Sequence, residues 1–135
     1  MTDDIVYNKV AIIERCLKRI NQEYEGNHAN LRNFTRQDSI ILNIQRACEA
    51  SIDLAMHIVA VKGLGIPQNS RDAFDLLTAD LVIDEDLARR LKRMVGFRNI
   101  AVHNYQDVDL SIVQGVIENN LQDLVTFGQI TLRKS

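Results

Sequence analysis

Apolar side chains recur every three or four residues along most of this sequence, which is the spacing of one face of an α-helix. The first such segment covers about residues 3 to 24 and includes Val6, Val10, Ile13 and Ile20. No segment alternates apolar and polar residues with a period of two for long enough to predict a β-strand. The sequence therefore predicts an all-α fold.

Breaks in the pattern indicate where the first two helices end and begin. Gly26 and Asn27 interrupt the first helix, because glycine and asparagine favour turns. Thr35, followed three residues later by Asp38, resembles a capping box in which aspartate replaces the usual glutamate. This pattern predicts that a second helix opens near Thr35 and continues to about Val61.

The remaining apolar segments predict three more helices. A short third helix is centred near Phe74, and a fourth begins after Asp84 and ends at about residue 101. A last helix starts with Asp109 as its N-cap and runs through Phe127. Four long helices and one short helix, joined by short loops, predict an antiparallel helical bundle.

Gly115 falls inside the predicted last helix, where glycine costs about 1 kcal/mol relative to alanine. A close helix crossing at this position is one explanation, and a merely tolerated glycine is the other. The sequence leaves both open.

The length of 135 residues fits a single domain spanning residues 1–135, which can bury a core without disulfides or a structural metal. Cys16 and Cys48 lack a C-x-x-C spacing and are predicted to be buried, reduced thiols. The chain begins with acidic residues and has no apolar run of about 18 residues, so we expect no membrane association and a cytoplasmic location. A net charge of −2 means that a nucleic-acid partner would require a local basic patch.

Such a patch is present on the fourth predicted helix, where Arg89, Arg90, Lys92, Arg93 and Arg98 lie close together in sequence. Residues 99–132 contain no lysine or arginine. The cluster is either a solvated basic face or a surface that attracts phosphate beside a reactive site.

The segment RNIAVHNY, residues 98–105, lies at this charge boundary. The guanidinium of Arg98 matches a phosphate, and His103 can exchange a proton near neutral pH. Tyr105 offers a phenolic hydroxyl, and Asn99 and Asn104 can orient neighbouring groups. These groups suit a cleavage of RNA in which the 2′-hydroxyl attacks its own phosphate, a base takes that proton and a cation holds the phosphate. The alternative is a polar helix terminus without catalytic function.

Helical geometry limits how Arg98 and His103 can cooperate. Five residues along an ideal helix separate their directions by roughly 140°. For both to address one phosphate, the chain has to leave the helix near residues 102–104, or a second subunit has to supply one of the groups.

Polar residues also interrupt one side of the second predicted helix. They orient Arg98, line an RNA groove, or form solvated ion pairs such as Arg46 with Glu49 or Asp53. His57 also lies on this side of the helix, and we do not expect it to act as a base. Metal binding is not expected, since His28, His57 and His103 lack the spacing of metal ligands. The polar positions are Asn43, Arg46, Glu49, Asp53 and His57.

Arg98-x4-His103-x-Tyr105, with asparagine directly after the arginine, resembles the R-x4-H-x-Y signature of HEPN ribonucleases. It is most similar to the HepT toxins that pair with MntA nucleotidyltransferases. The resemblance extends to LNIQRACEASIDLA in the second helix, to GIPQNSRDAF after it and to MVGFRNIAVHNY.

This resemblance implies a dimeric, HEPN-like helical ribonuclease in which Arg98 and His103 act on mRNA or tRNA at the subunit interface, with no cofactor. It further implies that an MntA-type antitoxin transfers AMP from ATP to Tyr105 and thereby silences the toxin. Two other classes remain open: a catalytically idle helical module that binds nucleotide or holds the nucleotidyltransferase, and a purely structural helical assembly.

Overall fold

The computed structural model describes residues 3–134 and contains helices but no β-strand within that range, which confirms the all-α prediction. Short 3₁₀ turns at His28–Arg32 and Tyr105–Asp107 lie between the helices. The first four helices are α1 (Asp4–Tyr24), α2 (Phe34–Lys62), α3 (Ser70–Ala79) and α4 (Glu85–His103). The last helix, α5, joins an α-helical segment (Leu110–Gly115), a π-helical turn (Val116–Asn120) and a second α-helical segment (Leu121–Lys134).

Side-chain caps determine where the helices start. The predicted capping box at Thr35 is wrong, because the side chain of Asn33 accepts from the backbone N–H of Arg36 and α2 starts before Thr35. The predicted N-cap of α5 is confirmed, since the Asp109 carboxylate accepts from the backbone N–H of Ser111. Asp38 is therefore not required as a cap and is free for another contact.

The central helix of the bundle is α2, which packs against α1, α3, α4 and α5. Phe74 of α3 and Phe127 of α5 meet edge to face in the core, with ring centroids 5.6 Å apart. Cys16 and Cys48 are buried and free, as the sequence predicts. Within residues 3–134 no helix is long and apolar enough to cross a bilayer.

Gly115 does not lie at a close crossing with another helix in the described part of the chain. Apart from the neighbouring backbone of its own helix, no atom of residues 3–134 lies within 4 Å of the position that a Cβ would occupy at Gly115. The close approach occurs at Gly128, where a Cβ would lie 3.4 Å from Cγ2 of Val10 on α1. Gly115 is instead the residue directly before the π-helical turn.

The π-helical turn carries a contact between α5 and α1. The hydroxyl of Tyr24 donates to Oε2 of Glu118 at 2.6 Å, and Tyr24 is buried. Burial and this hydrogen bond raise the pKa of Tyr24 to about 12. The π-helical turn thus places the Glu118 carboxylate in contact with the hydroxyl of Tyr24, which is the only polar group of that buried side chain.

Candidate active site

The signature segment lies where α4 ends. The helix continues through His103, two residues beyond the predicted end, and the chain departs at Asn104, whose φ of −139° and ψ of 58° are not helical. The 3₁₀ turn of Tyr105–Asp107 follows directly. Because Arg98 and His103 both lie within the helix, their directions remain roughly 140° apart. For both groups to address one phosphate, a second subunit therefore has to supply one of them.

Arg98 is half-buried and reaches from α4 toward α3. Its Nη2 lies 3.5 Å from Oγ of Ser70, the first residue of α3, and its Nε is buried without a hydrogen-bond partner. Within residues 3–134, no carboxylate forms an ion pair with Arg98. The positive charge therefore remains available to an anion such as phosphate.

The other basic residues of α4 are mostly neutralised. Arg89 and Arg90 both pair with Asp86, and Arg90 also binds Asp123 at 2.9 Å. Nζ of Lys92 lies 2.7 Å from Oδ1 of Asp75. Of the five basic side chains on α4, only Arg93 and Arg98 have no ion pair in the described part of the chain. The surface that can attract phosphate is thus smaller than the sequence suggests.

A further basic residue, which the sequence reasoning missed, lies beside this surface. Nη2 of Arg71 comes within 3.0 Å of the position that a Cβ would occupy at Gly96 on α4. No ion pair of Arg71 is formed within residues 3–134. Its only signal in the sequence is indirect, because Arg71 belongs to the GIPQNSRDAF segment.

His103 is exposed as the final residue of α4, and its imidazole makes no hydrogen bond to any residue from 3 to 134. The amides of Asn99, which is half-buried, and Asn104, which is exposed, likewise form no side-chain hydrogen bond in that range. All three side chains are therefore free to contact a substrate or a second protomer.

A hydrogen bond connects the side chain of Tyr105 to α2. Its hydroxyl donates a hydrogen bond to Oδ1 of Asp38, although the side chain remains 41% exposed. Burial and the hydrogen bond from Tyr105 to Asp38 raise the pKa of Tyr105 to about 12. Sequence reasoning missed this role of Asp38, because the two residues lie 67 positions apart in the chain.

The polar residues of α2 do not form one group. Asp53 binds Lys9 at 3.1 Å, and Glu49 accepts from Gln45 at 3.3 Å. Arg46 is exposed and pairs with neither acid within residues 3–134, so the solvated pairs considered above are not formed.

Two of these polar residues lie far along α2 from the Tyr105 contact. At 1.5 Å per residue, Asp53 is roughly 22 Å and His57 roughly 28 Å from Asp38 along the helix axis. His57 is occupied by Asp3, the N-cap of α1, at 2.5 Å. Neither residue belongs to the end of the helix that contacts Tyr105.

Glu49 and Asn43 lie closer to the middle of α2. Burial raises the pKa of the Cys48 thiol to about 12, and the charges of Arg98 and Glu49 both act on that thiol. Arg98 and Glu49 therefore lie near the same turn of α2. Asn43 is buried and donates to the carbonyl of Ser39 at 2.8 Å, while its Oδ1 has no partner.

This arrangement can bind an anion and exchange a proton at an exposed helix end. Among residues 3–134 no group of three or more His, Cys, Asp or Glu side chains is placed to hold a metal ion. The groups that remain available are the guanidinium of Arg98 and the imidazole of His103, while the hydroxyl of Tyr105 is held by Asp38.

Comparisons of the sequence and of the structure with those of known proteins agree with each other. A sequence profile described as "Ribonuclease HepT-like" matches residues 13–129. The chain is 51% identical over 125 residues to the mRNA nuclease HepT of Shewanella oneidensis, covering 93% of this chain and 94% of that protein. It is also 30% identical over 90 residues to a putative RNase of Archaeoglobus fulgidus, covering 67% of each protein.

Solved structures of toxin–antitoxin pairs have the same fold. A toxin–antitoxin crystal structure with AMP-PNP matches with a TM-score of 0.90 at 50% identity, over 95% of this chain and 97% of the other. The tri-AMPylated HEPN toxin of Shewanella oneidensis in complex with its MNT antitoxin matches with a TM-score of 0.89 at 50% identity, over 95% and 96%. The HEPN-like helical fold expected from the signature is thereby confirmed.

Proposed function

This chain belongs to the HepT-like ribonuclease family, and we propose that it is the toxin of a toxin–antitoxin pair, a ribonuclease that cleaves RNA without a metal ion. The observation that carries the proposal is the state of Arg98, a half-buried arginine with no ion pair within residues 3–134, followed by an exposed and unoccupied His103. The curated relative from Shewanella oneidensis is an mRNA nuclease, which favours mRNA over tRNA as the substrate class.

Arg98 and His103 have distinct roles in the proposed reaction. The Arg98 guanidinium binds the scissile phosphate and stabilises the charge that builds up on it during attack by the neighbouring 2′-hydroxyl. His103 exchanges the proton of the attacking or the leaving oxygen. The free amides of Asn99 and Asn104 orient the RNA, and Glu49 supports the Arg98 side of α2. The products are a 2′,3′-cyclic phosphate and a 5′-hydroxyl.

Regulation acts on the same segment. A related HEPN toxin is AMPylated in its complex with an MNT antitoxin, and the hydroxyl of Tyr105 is the nucleophile that this segment offers. A nucleotidyltransferase of the MntA type transfers AMP from ATP to Tyr105. The added phosphate competes with RNA for Arg98 at a high effective concentration and silences the enzyme.

The proposal includes a homodimer and a cytoplasmic location. Two protomers bring two copies of the segment to one interface, so that free groups such as His103 of each copy complete a shared groove. A cytoplasmic location follows from the substrate, since the mRNA that the toxin cleaves is found there.

The test is incubation of the purified chain, free of its partner, with an RNA oligonucleotide in EDTA, followed by identification of the product ends. The proposal predicts cyclic phosphate ends and no cleavage at a position that carries a single 2′-deoxy substitution. Cleavage that continues at the deoxy position would exclude this chemistry. A folded chain without any cleavage would instead support a catalytically idle partner of the nucleotidyltransferase.

A further inference from the structure

The hydroxyl of Tyr105 is not free in the structure but donates to Oδ1 of Asp38 on the second turn of α2. The contact joins the 3₁₀ turn after α4 to a helix that starts 71 residues earlier in the chain. Asp38 is exposed and makes no ion pair within residues 3–134. Its carboxylate is therefore neither a helix cap nor part of a charge pair, and its hydrogen bond is to the phenol.

A phenol in this environment is a weak nucleophile. Burial and the hydrogen bond to Asp38 raise the pKa of Tyr105 to about 12, so only about one molecule in 10⁵ carries a phenolate at pH 7. Transfer of AMP at neutral pH therefore requires a base that removes the phenolic proton as the new bond forms.

We propose that Asp38 is this base and that the chain itself, and not only its nucleotidyltransferase partner, supplies a catalytic group for the modification of Tyr105. The inference rests on the proposed function, since it assumes that Tyr105 accepts AMP. Oη of Tyr105 attacks the α-phosphorus of ATP, and a new O–P bond forms. The bond from that phosphorus to the bridging oxygen breaks, pyrophosphate leaves with the electron pair, and the phenolic proton moves to Oδ1 of Asp38.

The other charged groups near Tyr105 are occupied or do not contact the phenol. Arg36 shares the first turns of α2 with Asp38 but binds Glu25 and the carbonyl oxygen of Glu23. His103 at the end of α4 and Asp107 in the 3₁₀ turn make no hydrogen bond to the phenol. Asp38 is thus the only described group in hydrogen-bond contact with the oxygen that has to lose its proton.

The modification would also change the contact that enables it. Once AMP is attached, Oη carries no proton to donate, and the new phosphate places a negative charge beside the Asp38 carboxylate. Like charges at this distance repel each other. We therefore expect the modified Tyr105 side chain to move away from α2. The contact with Asp38 would then be present before the reaction and absent after it.

The experiment measures the initial rate of AMP incorporation at Tyr105 with ATP and a purified MntA-type nucleotidyltransferase, from about pH 7 to about pH 9. Asp38→Asn is the central variant, because asparagine can still accept the phenolic hydrogen bond but cannot take up a proton. Asp107→Asn is the matched control, since it removes a carboxylate from the same surface that does not contact the phenol. Thermal unfolding of each variant verifies that the fold is intact.

The parent chain and Asp107→Asn should be modified at similar rates that change little with pH, because a carboxylate is already ionised throughout this range. Asp38→Asn should be slower by about 10²–10⁴-fold at neutral pH. Its rate should then rise by about tenfold per pH unit, because the reaction depends on the small phenolate fraction.

Two results would overturn the role of Asp38. One is an Asp38→Asn chain modified at the parent rate. The other is an Asp38→Asn chain that is slower but retains the flat pH profile of the parent, which would assign Asp38 to positioning alone. If the parent chain takes up no AMP at Tyr105, the proposed regulation fails and the Asp38 role with it, so the two failures are distinguishable.

Discussion

Arg98 of α4 has one hydrogen-bond partner within residues 3–134, the hydroxyl of Ser70 at the start of α3, with Nη2 and Oγ 3.5 Å apart. Its Nε is buried and has no partner. The guanidinium is thus held near α3 by a single long hydrogen bond. Removing that contact should alter how well the charge is positioned without removing the charge itself.

Ser70→Ala should lower kcat for RNA cleavage by roughly 2-fold and change KM less, because a typical hydrogen bond contributes about 0.5–1.5 kcal/mol and this long one lies at the low end of that range. Ser70→Thr keeps the hydroxyl and should restore most of the rate. Steady-state kinetics on one RNA oligonucleotide measures both effects. An unchanged kcat in Ser70→Ala would show that the contact does not position Arg98.

Arg98→Ala should lower RNA cleavage by about 10²-fold or more, since the positive charge that stabilises the reacting phosphate is lost. Arg98→Lys should recover little of that loss, because lysine lacks the planar fork of donors. Arg93→Ala is the matched control, as Arg93 lies on the same helix and also has no ion pair among residues 3–134. Equal losses for the two alanine variants would argue for a general basic surface rather than a specific phosphate contact.

The active form should be a homodimer whose interface includes exposed apolar side chains in and near the RNIAVHNY segment. Val102 directly precedes His103 and is 41% exposed, and Leu42 on α2 is equally exposed. Val102→Asp should therefore weaken the dimer in sedimentation velocity and lower cleavage in parallel. Ile5→Asp, at a 49% exposed position on α1, should change neither. A stable monomer with full activity would contradict this prediction.

Two glycines in α5 should differ in how their replacement by alanine changes the free energy of unfolding. Gly115→Ala should raise the free energy of unfolding by roughly 0.5–1 kcal/mol, because its backbone is helical and the new methyl group would meet no other element within residues 3–134. Gly128→Ala should gain less or lose stability, since its Cβ would lie 3.4 Å from Cγ2 of Val10. Urea unfolding measures both variants. A larger gain at Gly128 than at Gly115 would be inconsistent with the packing described.

The sequence predicted well those features that depend on local chemistry. Apolar periodicity identified all five helices, and Asp109 was correctly predicted as an N-cap, because both depend on residues within one or two turns. Thr35 was wrongly predicted as a cap, since Asn33 two residues earlier has an equally suitable side chain and the sequence does not rank them.

Contacts between residues that are far apart in the chain could not be predicted from the sequence. The hydrogen bond between Tyr105 and Asp38, the approach of Arg71 to α4 and the ion pairs of the basic residues on α4 all depend on how the helices pack. The residue types in the signature segment predict RNA cleavage by Arg98 and His103, and this assignment stays a prediction. Which cations are already neutralised, and which carboxylate contacts the phenol, required the fold.

The proposed reaction depends most on His103, which exchanges a proton during RNA cleavage. The most direct measurement compares the single-turnover cleavage rates of the parent chain and His103→Ala in EDTA, with both proteins shown to be folded and dimeric. We expect His103→Ala to be slower by about 10²–10⁴-fold. A folded, dimeric His103→Ala chain that cleaves RNA at the parent rate would contradict it.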